Sequence, residues 1–437
     1  MFKKVLSLAT GLFLMCFVLG GCGSKNSAGN GSGKVTLVFA VGGTDMSYNK
    51  LLEVVVKKFE EKNPNIKIQF NAISGQAYDN KLLTMIAADT APDIFTLDPN
   101  RMSTFVLKEA IKPLDEFMSK DKTINKNDYY SSIVDGFTWG GKLYSLTDSM
   151  SPIVMFYNKD VFDQEKMPYP KDNWTWKEFL EIAKKLTQND ERGLIKRYGV
   201  VFYDPDTLYF SKAWGGNLWN KDKTKCIINS PESKAGIQFL VDMMLKHKVM
   251  PGADGAQKSD YQLFESGMAA MLAGGRWYTV EFRKTKVRYG IAPMPKGKLR
   301  LTPMITHAWV MSSKTKHPQE SYEFIKYLCS EETVKYMMAS GDCVPPIKKI
   351  AEGEFLKKDP NFPDEDTSAY VKSMAFSYPA KEYNHPLLTW SEISQIIQYK
   401  NMDRLLLGNW DVDTYLKNVE ASLNDLVKKA EEAEKNK

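Results

Sequence analysis

The sequence Phe264-Glu-Ser-Gly-Met-Ala-Ala-Met-Leu-Ala-Gly-Gly-Arg-Trp277 is the stretch from which we interpret the fold of this chain. Phe264 and Glu265 are typical of a helix end, and Gly267 predicts the turn that follows it. The apolar residues 268–272 then predict a short buried strand. A helix, a turn and a buried strand that leads into another helix are common in α/β proteins.

The end of this stretch carries candidate binding chemistry. Gly274 and Gly275 lack a Cβ atom, so a ligand could approach the backbone closely there. Arg276 and Trp277 open the next helix-like segment, and they offer a charged hydrogen-bond fork and a flat apolar face. The alternative is purely structural, namely a glycine turn and a tryptophan in the core. The rest of the chain favours the binding interpretation.

The amino terminus carries a processing signal. Lys3 and Lys4 precede an apolar run over residues 5–19, and Leu19-Gly-Gly-Cys22 resembles a bacterial lipobox. We therefore expect a lipoprotein signal peptide over residues 1–21, a lipid-modified Cys22, and a flexible tether over residues 22–34. An uncleaved membrane helix is the alternative, but about 15 apolar residues are short for a bilayer. The expected location is the extracellular face of a bacterial cell membrane, of the Gram-positive type.

The cysteines, histidines and charges argue against several classes of protein. Cys226, Cys329 and Cys343 lack C-x-x-C spacing, and the four histidines are scattered, so neither a metal site nor another cofactor is predicted. A Cys329–Cys343 bridge and buried thiols both stay open. The net charge of +6 comes from lysines interleaved with acidic residues, which is typical of solvated helix surface. No nucleic-acid partner is expected.

The first hundred residues predict one sheet. Strands are expected over residues 34–40, 66–70 and 91–96, with helices over residues 51–59 and 78–86. This alternation is the pattern of a parallel, helix-covered sheet. Ligands bind such sheets at the carboxyl ends of the strands, where Asp45 and Asp98 fall. Each aspartate is a candidate polar contact, and a turn or helix-capping role is the alternative.

The later chain continues the alternation. Further strands are expected over residues 198–203, 287–292 and 305–311, and a long helix over residues 390–407. Two helix starts have strong local signals. Thr175-x-x-Glu178 is a capping box, and Ser230-Pro231 places a proline at the first helical position.

Ten segments in order resemble one family. They are the lipobox, Ala91-Pro-Asp-Ile94, Gly141-Lys-Leu-Tyr-Ser-Leu146, Phe156-Tyr-Asn-Lys-Asp160, Trp174-Thr-Trp-Lys-Glu-Phe179, Trp214-Gly-Gly216, Asn229-Ser-Pro-Glu232, the opening stretch, Tyr289-Gly-Ile-Ala-Pro-Met-Pro295 and residues 312–324. In this order they resemble extracellular solute-binding proteins of the carbohydrate ABC-importer class, which are related to maltodextrin-binding proteins. The segments span nearly the whole chain after the signal peptide, so the resemblance is specific although each segment alone is weak.

The resemblance implies a two-lobe α/β fold of the type II periplasmic-binding-protein class. Each lobe is expected to be a helix-covered, mostly parallel sheet, with the ligand cleft between the lobes. Lobe 1 would comprise residues 35–148 and 304–332, and lobe 2 residues 149–303 and 333–437. The chain would cross between lobes near residues 145–152, 302–306 and 331–335. A monomer is expected that closes by a hinge around a sugar and then docks on the separate permease subunits of an importer.

The resemblance also implies site residues. Trp277 matches a sugar-stacking aromatic of the family, and Trp390 stands in a similar place at a late helix start. Asp45, Asp98, Asp148, Trp214, Arg276 and Trp309 fall on loops that family members turn toward the cleft, and Tyr203 is a further candidate. One position departs from the family, because Thr147 stands where a proline is common.

The chemistry of sugars agrees with these residue types, because a sugar ring has hydroxyl groups and an apolar C–H face. Aromatic plates together with carboxylates and arginine suit both features. Two alternatives stay open. The same fold could bind an anionic solute such as a sugar phosphate through Arg276, or two facing carboxylates could cleave a glycan. No G-x-S-x-G, H-E-x-x-H or Walker motif supports an enzyme, so we expect a binding protein.

Overall fold

A computed structural model describes residues 34–42, 46–73, 78–252, 260–285, 287–399 and 401–436. The signal peptide, Cys22 and Asp45 lie outside these residues. No helix within the described ranges is long and apolar enough to cross a membrane.

The strands are short and follow one another along the whole chain. They are β1 (Val35–Gly42), β2 (Ile66–Ile73), β3 (Ile94–Leu97), β4 (Ile111–Lys112), β5 (Thr138–Trp139), β6 (Lys142–Leu143), β7 (Ser145–Leu146), β8 (Met150–Pro152), β9 (Val154–Asn158), β10 (Gln188–Asn189), β11 (Ile195–Arg197), β12 (Val201–Phe202), β13 (Met271–Gly274), β14 (Tyr289–Pro293), β15 (Thr302–Thr306), β16 (Ala308–Ser312) and β17 (Ser377–Pro379).

Helices separate most of these strands. They are α1 (Met46–Lys62), α2 (Tyr78–Ala87), α3 (Met102–Leu107), α4 (Asp115–Lys120), α5 (Ser131–Gly136), α6 (Lys159–Gln164), α7 (Trp176–Leu186), α8 (Thr207–Ala213), α9 (Pro231–Val241), α10 (Asp260–Glu265), α11 (Tyr278–Thr285), α12 (Pro318–Leu328), α13 (Glu331–Ala339), α14 (Lys348–Ala351), α15 (Ser368–Met374), α16 (Trp390–Ser394), α17 (Met402–Leu406) and α18 (Val412–Lys435).

The first sheet has six strands in the order β2-β1-β3-β16-β4, with β7 also beside β16. β1 runs parallel to β2 and β3, whereas β16 is antiparallel to β3, β4 and β7. All strands except β16 therefore point the same way, and the carboxyl ends of β1 and β3 share one edge.

The second sheet repeats this arrangement with four strands in the order β12-β13-β9-β14. β12 and β13 are parallel, and β9 alone runs opposite to the others. A third sheet has three strands in the order β17-β15-β8. The predicted α/β architecture is confirmed, and both large sheets are mixed, because one reversed strand in each pairs antiparallel with its neighbours.

Strand β9 shows why both large sheets need helices on each face. Val154 and Phe156 belong to one buried apolar cluster, whereas Met155 and Tyr157 belong to the other. Because side chains alternate across a strand, a continuous apolar run is stable only where both faces are covered.

The chain passes between the sheets at two places that hydrogen bonds tie together. β7 pairs with the first sheet and β8 with β15, so one passage lies between Leu146 and Met150. The Thr306 hydroxyl donates to the Ser149 carbonyl over 2.8 Å, and the Thr147 hydroxyl donates to the same carbonyl over 2.7 Å. Thr147, which replaces the proline common in the family, is thus a buried hydrogen-bonding residue here.

Two of the crossings predicted between the lobes fall on these segments, and the third does not fall in a linker. Residues 331–335 are part of α13, whose Val334 and Met337 are buried in the same apolar cluster as the first sheet. The predicted boundary between residues 332 and 333 therefore lies inside a helix. The division into two lobes stays a prediction.

Several predicted elements differ in their bounds. Residues 305–311 were expected as one strand, but the chain changes sheets at His307 and forms β15 and β16. Residues 390–407 form α16, a π-helical turn over Gln395–Tyr399 and then α17. The buried strand expected over residues 268–272 begins at Met271, because Ala269 makes only an isolated bridge to Tyr198.

The local helix signals are confirmed. Thr175 and Glu178 form both hydrogen bonds of a capping box at the start of α7, and the Ser230 hydroxyl accepts from the Ser233 amide at the start of α9. The three later cysteines, Cys226, Cys329 and Cys343, are buried free thiols in this structure.

Candidate functional site

A cavity of about 90 Å³ lies at the carboxyl edge of the second sheet. Phe202 ends β12, Ala273 lies near the end of β13, and Met294 follows β14. Pro303 and Ile305 of β15 close another side. The position agrees with the general rule for open α/β sheets, in which ligands bind outside the carboxyl ends of the strands.

Tyr203 and Trp277 form an aromatic corner beside this cavity. Tyr203 directly follows β12 and is 52% exposed, which is a large exposed fraction for an aromatic residue next to a sheet strand. Its ring centroid lies 4.9 Å from that of the half-buried Trp277, in an edge-on arrangement. The pair joins two residues that the sequence analysis named separately, and an exposed ring supported by another is suited to contact the apolar face of a sugar.

The two glycines before this corner have a different role from the one expected. A Cβ atom on Gly275 would lie 1.9 Å from the Trp277 ring, and one on Gly274 would lie 2.4 Å from the Tyr278 ring. The space beside both glycines is thus filled by rings of the same chain, and the expectation of close ligand approach is wrong for this structure. Gly275 instead allows the Trp277 indole to fold back over the backbone.

Two carboxyl groups line the cavity below the aromatic corner. Desolvation raises the pKa of Asp204, although solvent still reaches the residue from the open side. Desolvation and then the charge of Asp204 raise the pKa of Asp206 to about 7, against the hydrogen bonds from the Leu208 and Tyr209 amides. Asp206 caps α8, since its carboxylate accepts from the Leu208 amide over 2.8 Å. Both groups can accept hydrogen bonds from ligand hydroxyls.

Asp98 lies at the carboxyl end of β3 in the first sheet, and its charge acts on Tyr203 beside the cavity. Burial, and then the charges of Asp204, Asp98 and Asp260, raise the pKa of Tyr203. A second contact joins the loop after β3 to the later chain, because the Asn384 amide group donates to the Pro99 carbonyl over 3.1 Å. The loop after β3 therefore contacts the later chain at Asn384, and the charge of Asp98 reaches Tyr203. Asp98 itself is partly exposed, and Arg101 Nε lies 3.4 Å from its carboxylate.

Asp148 and Trp309 lie in a buried polar cluster where the chain passes between the sheets. The fully buried Asp148 carboxylate accepts from Trp309 Nε1 over 3.0 Å and from the Tyr48 hydroxyl over 3.3 Å. His307 Nε2 is 3.3 Å from the same carboxylate. Burial lowers the pKa of His307, but the hydrogen bond and charge of Asp148 outweigh it and leave the pKa raised.

The other predicted residues have protein partners as well. Arg276 is buried, and its guanidinium donates to Glu365 over 2.7 Å and lies 4.7 Å from the Phe355 ring. Trp214 packs against Phe239, with ring centroids 5.0 Å apart. Trp390 is half-buried at the first position of α16, after a capping box formed by Thr389 and Glu392.

Larger surface grooves are less suited to a polar ligand. One of about 510 Å³ has charged lining residues that pair with each other, such as Lys62 with Glu332 and Lys349 with Glu331. Another of about 380 Å³ lies beside the Arg283–Glu365 ion pair. Neither groove lies at the carboxyl edge of a sheet, so we place the candidate site at the smaller cavity.

The sequence analysis missed Asp204, Asp206 and Tyr209, which all line this cavity. A signal was present, because Tyr203-Asp-Pro-Asp206 follows a predicted strand. The rule that singled out Asp45 and Asp98 at the ends of earlier strands applies equally here.

Residues 55–364 match the model of the bacterial extracellular solute-binding protein family. The match covers well over half of the chain, and the protein belongs to this family. Together with the α/β architecture, it defines the class as an extracellular solute-binding protein.

Three known proteins illustrate the similarity. The arabinooligosaccharide-binding protein of Bacillus subtilis is 27% identical over 74% of this chain and 75% of its own length. A maltooligosaccharide ABC transporter solute-binding lipoprotein of Streptococcus pneumoniae is 23% identical over 91% of this chain and 92% of its own. A solved structure, the ABC substrate-binding protein Lmo0181 from Listeria monocytogenes in complex with cycloalternan, is 26% identical with a TM-score of 0.79, covering 90% of this chain and 99% of that one.

Proposed function

We propose that the protein captures a sugar or oligosaccharide outside the cell and delivers it to the permease of an ABC importer. The observation that carries the proposal is the aromatic corner of Tyr203 and Trp277 above the carboxyl groups of Asp204 and Asp206. Exposed rings and hydrogen-bond acceptors at one sheet edge match the two surfaces of a sugar. The arabinooligosaccharide-binding relative in Bacillus and the maltooligosaccharide-transporter relative in Streptococcus support the same class of ligand.

The proposal assigns the predicted residues to three groups. Tyr203, Trp277 and Asp98 contact the ligand directly, together with Asp204 and Asp206. Asp148, Trp309 and Arg276 hold the walls of the site through their protein partners. Asp45, Trp214 and Trp390 are further contacts, to be tested by substitution.

The same proposal covers the mode of action. The mature protein is a monomer held at the outer face of the membrane of a Gram-positive bacterium by lipid on Cys22. The segments around Thr147 and Thr306 act as the hinge between two lobes that close on the ligand. Support comes from the lipobox in the sequence, from the lipoprotein among the relatives and from the two passages between sheets.

An enzyme is not proposed, because the family is one of solute-binding proteins and the two carboxyl groups that line the cavity do not have the arrangement of a glycosidase. Glycosidases place two carboxyl groups on opposite sides of the bond that they cleave. Asp204 and Asp206 are two residues apart on one wall of the cavity. A ligand recovered unchanged after binding supports this choice, and a shortened glycan would contradict it.

Thermal melting tests the proposed function. The protein without residues 1–22 is heated with mono- and oligosaccharides, polyols, sugar phosphates and amino acids in turn. A ligand at about one hundred times its dissociation constant adds about 2.7 kcal/mol to the free energy of unfolding, which is a clear rise in melting temperature. We expect the rise with one class of sugar only. No rise with any sugar, but one with a nitrogenous or phosphorylated solute, would keep the family and overturn the proposed ligand.

A further inference from the structure

The cavity at the second sheet is acidic among the residues that the structure describes. Its lining residues include Asp204 and Asp206, and none of them is a lysine, arginine or histidine. A neutral sugar can use these carboxyl groups as acceptors, but a lining with two acidic groups and no basic one also suits a positively charged ligand. The acidic groups of this wall therefore bear on the charge of the ligand.

Two other carboxyl groups in the molecule have lowered pKa values, in contrast to Asp204 and Asp206. Asp121 is also partly desolvated, but Thr123 and Lys326 lower its pKa to about 2. Glu60 has a lowered pKa because Lys67 and the Ile68 amide outweigh its burial. For Asp204 and Asp206 the pKa is raised, and no basic side chain contributes to either shift.

Two basic groups of the described residues have acidic partners outside the cavity. The Arg276 guanidinium is held by Glu365, and Lys212, six residues beyond Asp206 in α8, pairs with Glu382. While Asp206 is protonated, the cavity of the unliganded chain needs neither Arg276 nor Lys212 to balance its charge. A ligand with a positive charge would supply the missing partner.

The aromatic side of the cavity is an independent observation that points to the same chemistry. Phe202, Tyr203 and Tyr209 line it, and Tyr203 is 52% exposed beside Trp277. The face of an aromatic ring attracts an ammonium group, and a carboxylate adds a charge-assisted hydrogen bond. Rings and unpaired carboxyl groups around one small cavity are thus a combination that favours a cation over a neutral group.

We propose that Asp204 and Asp206 select the ligand by charge, so that a sugar with an amino group binds more tightly than its neutral counterpart. A sugar with a carboxylate or phosphate group is excluded by the same wall. The inference rests on the proposed function, since it names the class of sugar that the same site takes.

Calorimetry with matched sugars tests the selection. The probes are glucose, glucosamine and glucuronic acid, or the corresponding galactose set where the melting experiment selects galactose, all at neutral pH and low salt. We expect the amino sugar to bind about fivefold more tightly than the neutral one, which corresponds to about 1 kcal/mol, and the acid at least about tenfold more weakly. Both differences should shrink at high salt.

Substitutions assign the effect to the two aspartates. In a chain with Asp204→Asn and Asp206→Asn, the three affinities should come within about threefold of one another, because asparagine keeps the size and the helix cap without the charge. Asp160→Asn is the matched control, since Asp160 is an exposed carboxylate paired with Arg288 outside the cavity. This control should keep the full preference, and circular dichroism verifies that each variant is folded.

The outcomes separate the two proposals. If no sugar binds, the proposed function fails. If the neutral sugar binds at least as tightly as the amino sugar, the charge selection is overturned and the proposed function stands. If the preference persists in the double variant, Asp204 and Asp206 are not its source, and this assignment is overturned.

Discussion

The carboxylate of Asp148 and the carboxyl group of Asp206 are both withdrawn from bulk water, yet their surroundings are opposite. Asp148 is fully buried and has Trp309, Tyr48 and His307 as polar partners. Asp206 faces a cavity, and the nearest charge that acts on it is the like charge of Asp204.

The difference separates structural from functional polar groups in this protein. A buried carboxylate is stable when the chain supplies donors, and then it holds segments together. A carboxyl group at the edge of a cavity that has only backbone amides as donors, and no basic partner, keeps hydrogen-bonding capacity for a ligand. Four substitutions test this difference between structural and ligand-binding groups.

The largest effect is expected from Asp148→Ala. The change leaves Trp309 Nε1 without its acceptor in the interior and removes the carboxylate beside His307, so the free energy of unfolding should fall by about 3–5 kcal/mol. Urea unfolding followed by circular dichroism measures it. Asp98→Ala is the matched control, because Asp98 is partly exposed and should change stability by less than about 0.5 kcal/mol. A loss below 1 kcal/mol for Asp148→Ala would contradict a structural role.

The second effect is a pH dependence of stability that comes from Asp206. Its pKa of about 7 in the folded chain is raised from 3.8, so the folded state binds a proton that the unfolded chain has released. This contribution is complete below about pH 4 and is lost as the pH rises through about 7. It amounts to at most roughly 4 kcal/mol, at about 1.36 kcal/mol per unit of pKa.

Urea unfolding between about pH 4 and pH 8 measures this dependence. Asp206→Asn keeps the cap of α8 and removes the titrating group, so its stability should fall less with rising pH than that of the unchanged chain. If the free energy of unfolding depends on pH in the same way in both proteins, the pKa of Asp206 is not raised. The contrast with Asp148 would then depend only on the hydrogen-bond partners of the two groups.

The smallest effect concerns the ring that shares the cavity edge with the carboxyl groups. Trp277→Ala should weaken sugar binding by about tenfold, or about 1.4 kcal/mol, because a stacking surface is lost. Calorimetry with the sugar found by thermal melting measures it. Trp410→Ala is the control, since Trp410 packs on Arg404 of α17 and does not line the cavity, and the change should leave affinity unchanged.

Gly275→Ala sharpens the same prediction without removing the ring. The added Cβ would occupy the position of the Trp277 indole and force it away from Tyr203. Affinity should fall by a similar factor with the indole still present. Full affinity in this variant would show that the ring position is not needed for binding.

Part of the site could be predicted because local patterns carry it. The ends of β3 and β12 are visible as apolar runs followed by Asp98 and by Tyr203-Asp-Pro-Asp206, and the general rule for sheet edges then indicates a binding region. Capping boxes are equally local, since Thr175 and Glu178 satisfy each other within one turn.

Other features had no local signal. The change of sheet at His307 interrupts a run of strand-forming residues whose pattern is the same on both sides. Arg276 had the composition of a ligand contact, but Glu365, 89 residues further along the chain, pairs with it. The rings that fill the space beside Gly274 and Gly275 could not be told from a space left for a ligand.

The sequence by itself determined the α/β class, the order of the elements and the resemblance to a family of binding proteins, because these depend on periodicity, caps and short motifs. Only the tertiary structure decided which polar side chains already have partners. Asp148, Arg276 and Trp309 meet donors or acceptors from distant parts of the chain, whereas the described residues that line the cavity with Asp204 and Asp206 include no basic side chain. The physical reason is that the energy of a polar group depends on its partners and on its exposure to water, and both are set by packing between distant segments.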